Sequence, residues 1–155
     1  MVLQLLPASP SDADRIVKIR LEAFADNPLL HAQFPTPASL AALQIILSRE
    51  TLHAIENAQD TRANLVVKDT ELEGDEQIIA FASWDLPTER KIVLHEGVTW
   101  PDDCQQEWLD RYHELAEAAK ERVVGDSKCY RESCLLRTPL AGEMPVMDIT
   151  CTCFE

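Results

Sequence analysis

Residues 128–139 read KCYRESCLLRTP. The apolar side chains Cys129, Tyr130, Cys134, Leu135 and Leu136 lead to Arg137 and then to Pro139, which cannot donate to a sheet ladder. The stretch reads as a central strand ending in a proline. Upstream, Gly125 stops a polar helix. That helix is predicted to open at Pro101, with Asp102 and Asp103 in its first turn, where carboxylates complement the dipole. Its apolar stripe is Trp108, Leu109, Tyr112, Leu115, Ala116 and Ala119. Downstream lie only the sixteen residues 140–155.

Moving outward to the N-terminus, residues 2–6 form a short apolar run that ends at Pro7 and reads as an opening strand. Ser11 or Asp12 is a suitable N-cap for a helix over residues 11–25, with Ile16, Val17, Ile19, Ala23 and Phe24 on its buried side. Asp26-Asn27-Pro28 breaks it, and Leu29, Leu30 and Phe34 read as an apolar loop closed by Pro35 and Pro37. Thr36 or Ser39 caps a second helix that runs to about residue 57, with Leu40, Leu43, Ile46 and Leu47 on its buried face. Residues 64–69 and 77–84 are two strands joined through ELEGDE into a hairpin, with Gly74 at the turn's positive-φ position. Residues 88–100 read as irregular or partly extended. The order is strand, two helices, hairpin, helix, strand. This is an α+β layout with a largely antiparallel sheet in its first half.

The composition sets limits on function. The chain has 155 residues, 46% of them hydrophobic, enough for one sizeable core in a single domain over residues 1–155. Its 27 acidic and 14 basic residues give a net charge of −13, which repels a nucleic-acid backbone or an anionic membrane and favours a cationic substrate such as an amine. Solubility is the plainer use of that charge. No apolar run approaches a membrane span and residues 1–15 do not resemble a secretory signal, so cytoplasmic residence is the expectation. Five cysteines in a non-secretory setting argue against a disulfide framework. Cys151 and Cys153 lack a second ligand pair, so no metal is expected.

Four segments carry a family resemblance in order: residues 23–29 (AFADNPL), 81–87 (FASWDLP), the helix from Trp100-Pro101 to Arg122, and Cys129-Tyr130-Arg131 with Pro139. Together they make the chain, over about residues 1–139, similar to the Gcn5-related N-acetyltransferases, in particular to a fungal branch. The resemblance implies a mixed sheet flanked by helices, with an incomplete C-terminal half. It implies acetyl-CoA as co-substrate and a small amine as acceptor, in fungal secondary metabolism. In that family the fourth strand exposes backbone to the pantetheine arm, and a following Q-x-x-G-x-G/A turn holds the pyrophosphate on backbone N–H groups.

The resemblance assigns roles by position. Glu132 is the candidate base for the ammonium and Tyr130 the candidate donor to the leaving thiolate. Leu135, Leu136 and Arg137 offer the cofactor-binding backbone, and Asp26, Asn27, Phe34 and Trp84 line the acceptor side. Each also has an ordinary structural role: Glu132 and Arg137 as surface strand residues, Tyr130 and Trp84 as packing. The four histidines, His31, His53, His95 and His113, form no local hydrolase signature with a serine or cysteine.

Residues 140–145, LAGEMP, depart from the phosphate-turn pattern, with a single glycine, a carboxylate at Glu143 and a donor removed at Pro145. A shifted reading frame, a missed splice site or a degraded gene would each produce such a tail, and residues 146–152 would make one replacement strand. The alternative function is therefore a catalytically inactive acetyltransferase-like domain with an interaction role, oligomerising through an exposed sheet edge.

Overall fold

A computed structural model describes residues 2–86, 100–123 and 131–137. In chain order its elements are β1 (Leu3–Pro7), α1 (Ala13–Ala23), α2 (Pro28–Gln33), α3 (Pro37–Asn57), β2 (Arg62–Asp69), β3 (Ile78–Asp85), α4 (Gln106–Val123) and β4 (Arg131–Arg137). The strands lie side by side in the order β1-β2-β3-β4, and all three pairings are antiparallel. The α+β class read from the sequence is the class observed. Among the described residues, no helix is long and apolar enough to cross a membrane.

The alternation of the hairpin strands explains where the helices sit. In antiparallel register Leu6, Val66, Phe81 and Leu136 form one cross-sheet row, and directly opposed residues share a face. Val66 and Phe81 are buried there with Ile78, under Ala13, Ile16 and Ile19 of α1 and Ile55 of α3. Each fully buried aliphatic of this kind stabilises by about 1.5–3 kcal/mol. Arg15 Nε donates to the carbonyl of Ile78 at 3.1 Å, and the Arg20 guanidinium lies 5.7 Å from the centre of the Phe81 ring. A smaller cluster centres on Phe34 and Leu43 and gathers Leu21, Leu30, Leu40, Leu47, Trp100 and Cys104.

Several boundaries differ from expectation, each for a local reason. The first helix does not start at residue 11: Pro10–Asp12 is a 3₁₀ turn and α1 begins at Ala13. The Asp12 carboxylate accepts from the Ser9 amide at 2.8 Å and the Ser9 hydroxyl at 2.7 Å, and Lys68 reaches it at 2.8 Å. Burial alone would raise the Asp12 carboxyl, but Lys68 and Ser9 together hold it below its usual range. The expected apolar loop at residues 28–33 is the short helix α2, because the Asn27 side chain accepts from the Leu29 amide at 2.8 Å and Pro28 is preset for a first turn. Gly74 adopts φ 62° at the hairpin turn, as its place in ELEGDE predicts.

α4 starts at Gln106 and not at Pro101. The Asp103 carboxylate instead accepts from the Thr36 hydroxyl, and the Gln105 amide donates to the Gln33 carbonyl at 3.0 Å. These contacts hold residues 101–105 against the start of α3 as a turn. Thr36 also caps α3, accepting from the Ser39 amide at 3.1 Å. Thr36→Ala therefore removes a cap and a tertiary tie together and is expected to cost about 1–2 kcal/mol. A urea unfolding curve checks it: an unchanged midpoint would show that neither contact matters.

Part of the apolar stripe read on α4 lies at the surface. Trp108, Tyr112 and Leu115 are exposed, not buried. The helix is amphipathic, but those side chains of its apolar line face solvent.

Candidate functional site

The candidate site is built on the β3–β4 pair. β3 is an inner strand of the sheet, and β4 pairs with it along one edge while α1 also packs near β4. The register pairs Ala80 with Arg137, Phe81 with Leu136, Ala82 with Leu135, Ser83 with Cys134, Trp84 with Glu132 and Asp85 with Arg131. The register shifts between Ser83 and Trp84, which leaves Ser133 as an extra residue on β4. A bulge of this kind bends its strand and re-aims the groups beside it. Among the described residues no strand pairs with the outer edge of β4. Alternate residues of such an edge present N–H and C=O groups away from the sheet.

This geometry places the sequence candidates differently from one another. Glu132 sits opposite the half-buried Trp84, and Leu135, Leu136 and Arg137 follow along the same strand. Tyr130 and residues 138–155, with Gly142, Glu143, Cys151 and Cys153, lie outside the described residues. Asp26 is exposed in the turn after α1. Asn27 is engaged as the cap of α2. Phe34 is only 2% exposed and belongs to the smaller core, its ring 5.6 Å from that of Trp100. No hydrogen bond or ring contact described for Asp26, Asn27 or Phe34 reaches Trp84 or β4. Packing and capping account for Asn27 and Phe34 as they stand.

Polar residues that the sequence reading passed over support the same end of the sheet. Arg62 reaches the Asp85 carboxylate from Nε at 2.8 Å and from its terminal nitrogen at 2.7 Å, with both side chains mostly buried. One step along, the Ser83 hydroxyl donates to the Asn64 side-chain oxygen at 2.8 Å. Arg62, Asn64 and Val66 alternate on β2, and Phe81, Ser83 and Asp85 alternate opposite them on β3. That alternation was the available signal: polar residues at inward positions of a hairpin need partners across it. The pairs lock β3 at the residues that carry the bulge.

Other reactive groups are accounted for structurally. Burial first, and the Asp103 carboxylate second, push the Cys104 thiol up, which disfavours the reactive thiolate. His31 Nε2 lies 2.6 Å from the Ala25 carbonyl, bracing the turn between α1 and α2. Among the described residues no cluster of His, Cys, Asp and Glu has the makings of a metal site.

Comparison with known proteins gives one structural likeness to report. A crystal structure of a histone acetyltransferase HPA2 and related acetyltransferase from Corynebacterium glutamicum is similar with a TM-score of 0.41 and 23% identity, covering 76% of this chain and 72% of that one. No protein-family model and no curated protein matches the chain.

Proposed function

We propose that this chain is an acetyl-CoA-dependent N-acetyltransferase-type domain acting on a small amine, in the cytoplasm, with fungal secondary metabolism as its setting. The observation that carries the reading is the position of β4. The strand that resembles the family's fourth strand lies antiparallel at the sheet edge, bulged at Ser133 and open on its outer side among the described residues. Such an edge suits an extended arm bearing amide groups, because main-chain pairing supplies the contacts and side-chain identity matters little. Leu135, Leu136 and Arg137 would supply those backbone groups.

Acetyl-CoA supplies the activated acyl group when bound. The chain's task is to bring an amine to it and remove its proton. Glu132, opposite Trp84 in register, is the residue assigned to the proton, directly or through a water, and Tyr130 is assigned to the departing thiolate. The acidic balance of −13 favours a cationic acceptor.

A second reading has its own support. Residues 140–145 offer one glycine, a carboxylate and a proline where a pyrophosphate would need several backbone donors. A non-catalytic domain that pairs strands through the β4 edge is consistent with that. Calorimetry with millimolar acetyl-CoA, followed by thiol release in the presence of small amines, separates the two. Saturable binding and amine-dependent release are expected. Absence of heat at millimolar acetyl-CoA would remove the enzymatic reading.

A further inference from the structure

The outer edge of β1 is used by neither the core nor the proposed site. β1 is the end strand of the sheet, with β2 and β3 between it and β4. Among the described residues no strand pairs with its outer side. In an antiparallel pair, residues that exchange both backbone bonds alternate with residues that exchange none. The Thr70 amide donates to the Val2 carbonyl and the Ala8 amide to the Asn64 carbonyl, each at 2.9 Å. With Gln4 opposite Lys68 and Leu6 opposite Val66, this phase turns the backbone of Val2, Gln4, Leu6 and Ala8 toward β2. Leu3, Leu5 and Pro7 turn theirs outward. Pro7 fits that phase, because its missing N–H would have pointed away from the sheet.

Edges of this kind are ordinarily blunted by charge, proline or a bulge. Residues 2–6 include no charged residue and no proline, although 26% of the chain is charged, and the register with β2 runs without a shift. The side chains are open as well: Val2, Leu3, Leu5 and Leu6 are 52%, 51%, 65% and 38% exposed. The charged neighbours on β2 are engaged elsewhere. Lys68 lies 2.8 Å from Asp12, and the Asp69 carboxylate accepts from the Val2 and Glu71 amides.

The pattern of the run decides what pairs with it. VLQLL keeps the order apolar, apolar, Gln, apolar, apolar when read from either end. An antiparallel copy centred on Gln4 brings Leu3 opposite the partner subunit's Leu5 and Val2 opposite the partner subunit's Leu6. Each exposed apolar side chain of the run then meets another, and Gln4 meets the partner subunit's Gln4, amide to amide. The same centre matches the outward backbone. The Leu3 amide donates to the carbonyl of the partner subunit's Leu5, and the Leu5 amide to that of the partner subunit's Leu3.

We propose that two copies of this chain pair antiparallel through β1, about a two-fold axis at Gln4, so that one sheet runs through both. The pairing uses the same edge of each copy and closes at two. One short strand pair buries less than the roughly 1,600 Å² of a standard interface, so the dimer is weak, with a dissociation constant of about 10 µM to 1 mM. The charge of −13 on each copy opposes the approach while the contact itself is uncharged, so added salt strengthens the dimer. β4 lies at the opposite edge, and the pairing does not depend on the acetyl-CoA reading.

Sedimentation equilibrium of the full chain, up to about 1 mM, is expected to show a monomer–dimer equilibrium that tightens as salt is raised. Gln4→Glu and Gln4→Lys each set like charges opposite one another at the axis, and each alone is expected to weaken the dimer at least about tenfold. Their equimolar mixture is expected to regain it, a recovery that damage to the monomer would not produce. Leu3→Thr/Leu5→Thr keeps strand-forming residues at exposed positions. It is expected to weaken the dimer at least about tenfold with an unchanged circular dichroism spectrum. A monomer at millimolar chain in high salt, a mixture no tighter than its components, or an undiminished dimer in the Leu3/Leu5 variant would each overturn the proposal. Species that grow past the dimer would overturn it in favour of open-ended pairing of β1 with β4.

Discussion

Replacing Asp85 with alanine is expected to destabilise the protein by about 3 kcal/mol, because it leaves Arg62 mostly buried without its carboxylate. Desolvation of the guanidinium has already been offset in the folded protein by the two contacts to Asp85 Oδ1. Removing one partner keeps the cost and loses the compensation. The sign of the double change is the sharper check. Arg62→Leu with Asp85→Leu removes both charges, and it is expected to be less destabilising than Asp85→Ala alone. Urea unfolding of the four species of the cycle reads the coupling directly. Additive costs, with no coupling between the two positions, would contradict a buried pair. The effect also bears on the site. Asp85 pairs in register with Arg131, one residue before Glu132, so loosening this end of β3 loosens the bulged end of β4.

Phe81→Ala is expected to cost more, about 3–5 kcal/mol, as a large-to-small change in a packed core. Phe81 is 3% exposed, lies on the central strand, and packs in the cluster that joins α1, α3 and the sheet. Alanine would also remove the ring under Arg20, a contact worth about 0.5–1 kcal/mol. Domains of this size are stable by roughly 5–15 kcal/mol, so this substitution alone brings the chain near its unfolding threshold. Phe81→Leu keeps most of the volume and should cost markedly less. A thermal melt separates them: a near-wild-type midpoint for the alanine variant would mean that the α1–sheet packing is not the main core.

The sequence made some of this structure legible because the signals were local. Thr36 before Pro37 marked the start of α3, and Gly74 in ELEGDE marked a positive-φ turn. Alternation gave β2 and β3 within about two residues at each end. Where tertiary contacts compete with local signals, the reading went astray. Pro101-Asp102-Asp103 looks like a helix start, but Asp103 is spent on Thr36 and the helix waits until Gln106. Residues 28–33 looked like loop because two prolines follow, while a side-chain cap from Asn27 is enough to start a turn of helix. Helical periodicity showed that α4 has an apolar line, but periodicity cannot say whether a line is covered. Trp108, Tyr112 and Leu115 are open.

The strand on which the candidate site is built was legible for the same reason. A strand could be read over residues 128–137, of which the structure describes Arg131–Arg137 as β4, and its pairing with β3 came from the structure. The bulge at Ser133 depends on how two strands settle against each other, and nothing in RESCLLR announces it. Phe34 and Asn27 were assigned to an acceptor pocket by resemblance, and the structure gives them packing and capping work. The Arg62–Asp85 pair links residues 23 apart and becomes visible only once the hairpin register is known.

The central claim is that the outer edge of β4 receives acetyl-CoA. Hydrogen exchange, followed by mass spectrometry on a peptide spanning residues 131–137, tests it on the intact chain. Saturating acetyl-CoA is expected to slow exchange in that peptide, while a peptide within β1 stays unchanged. Unaltered exchange through residues 131–137 at millimolar acetyl-CoA, in a protein whose β2 and β3 amides remain protected, would contradict the account.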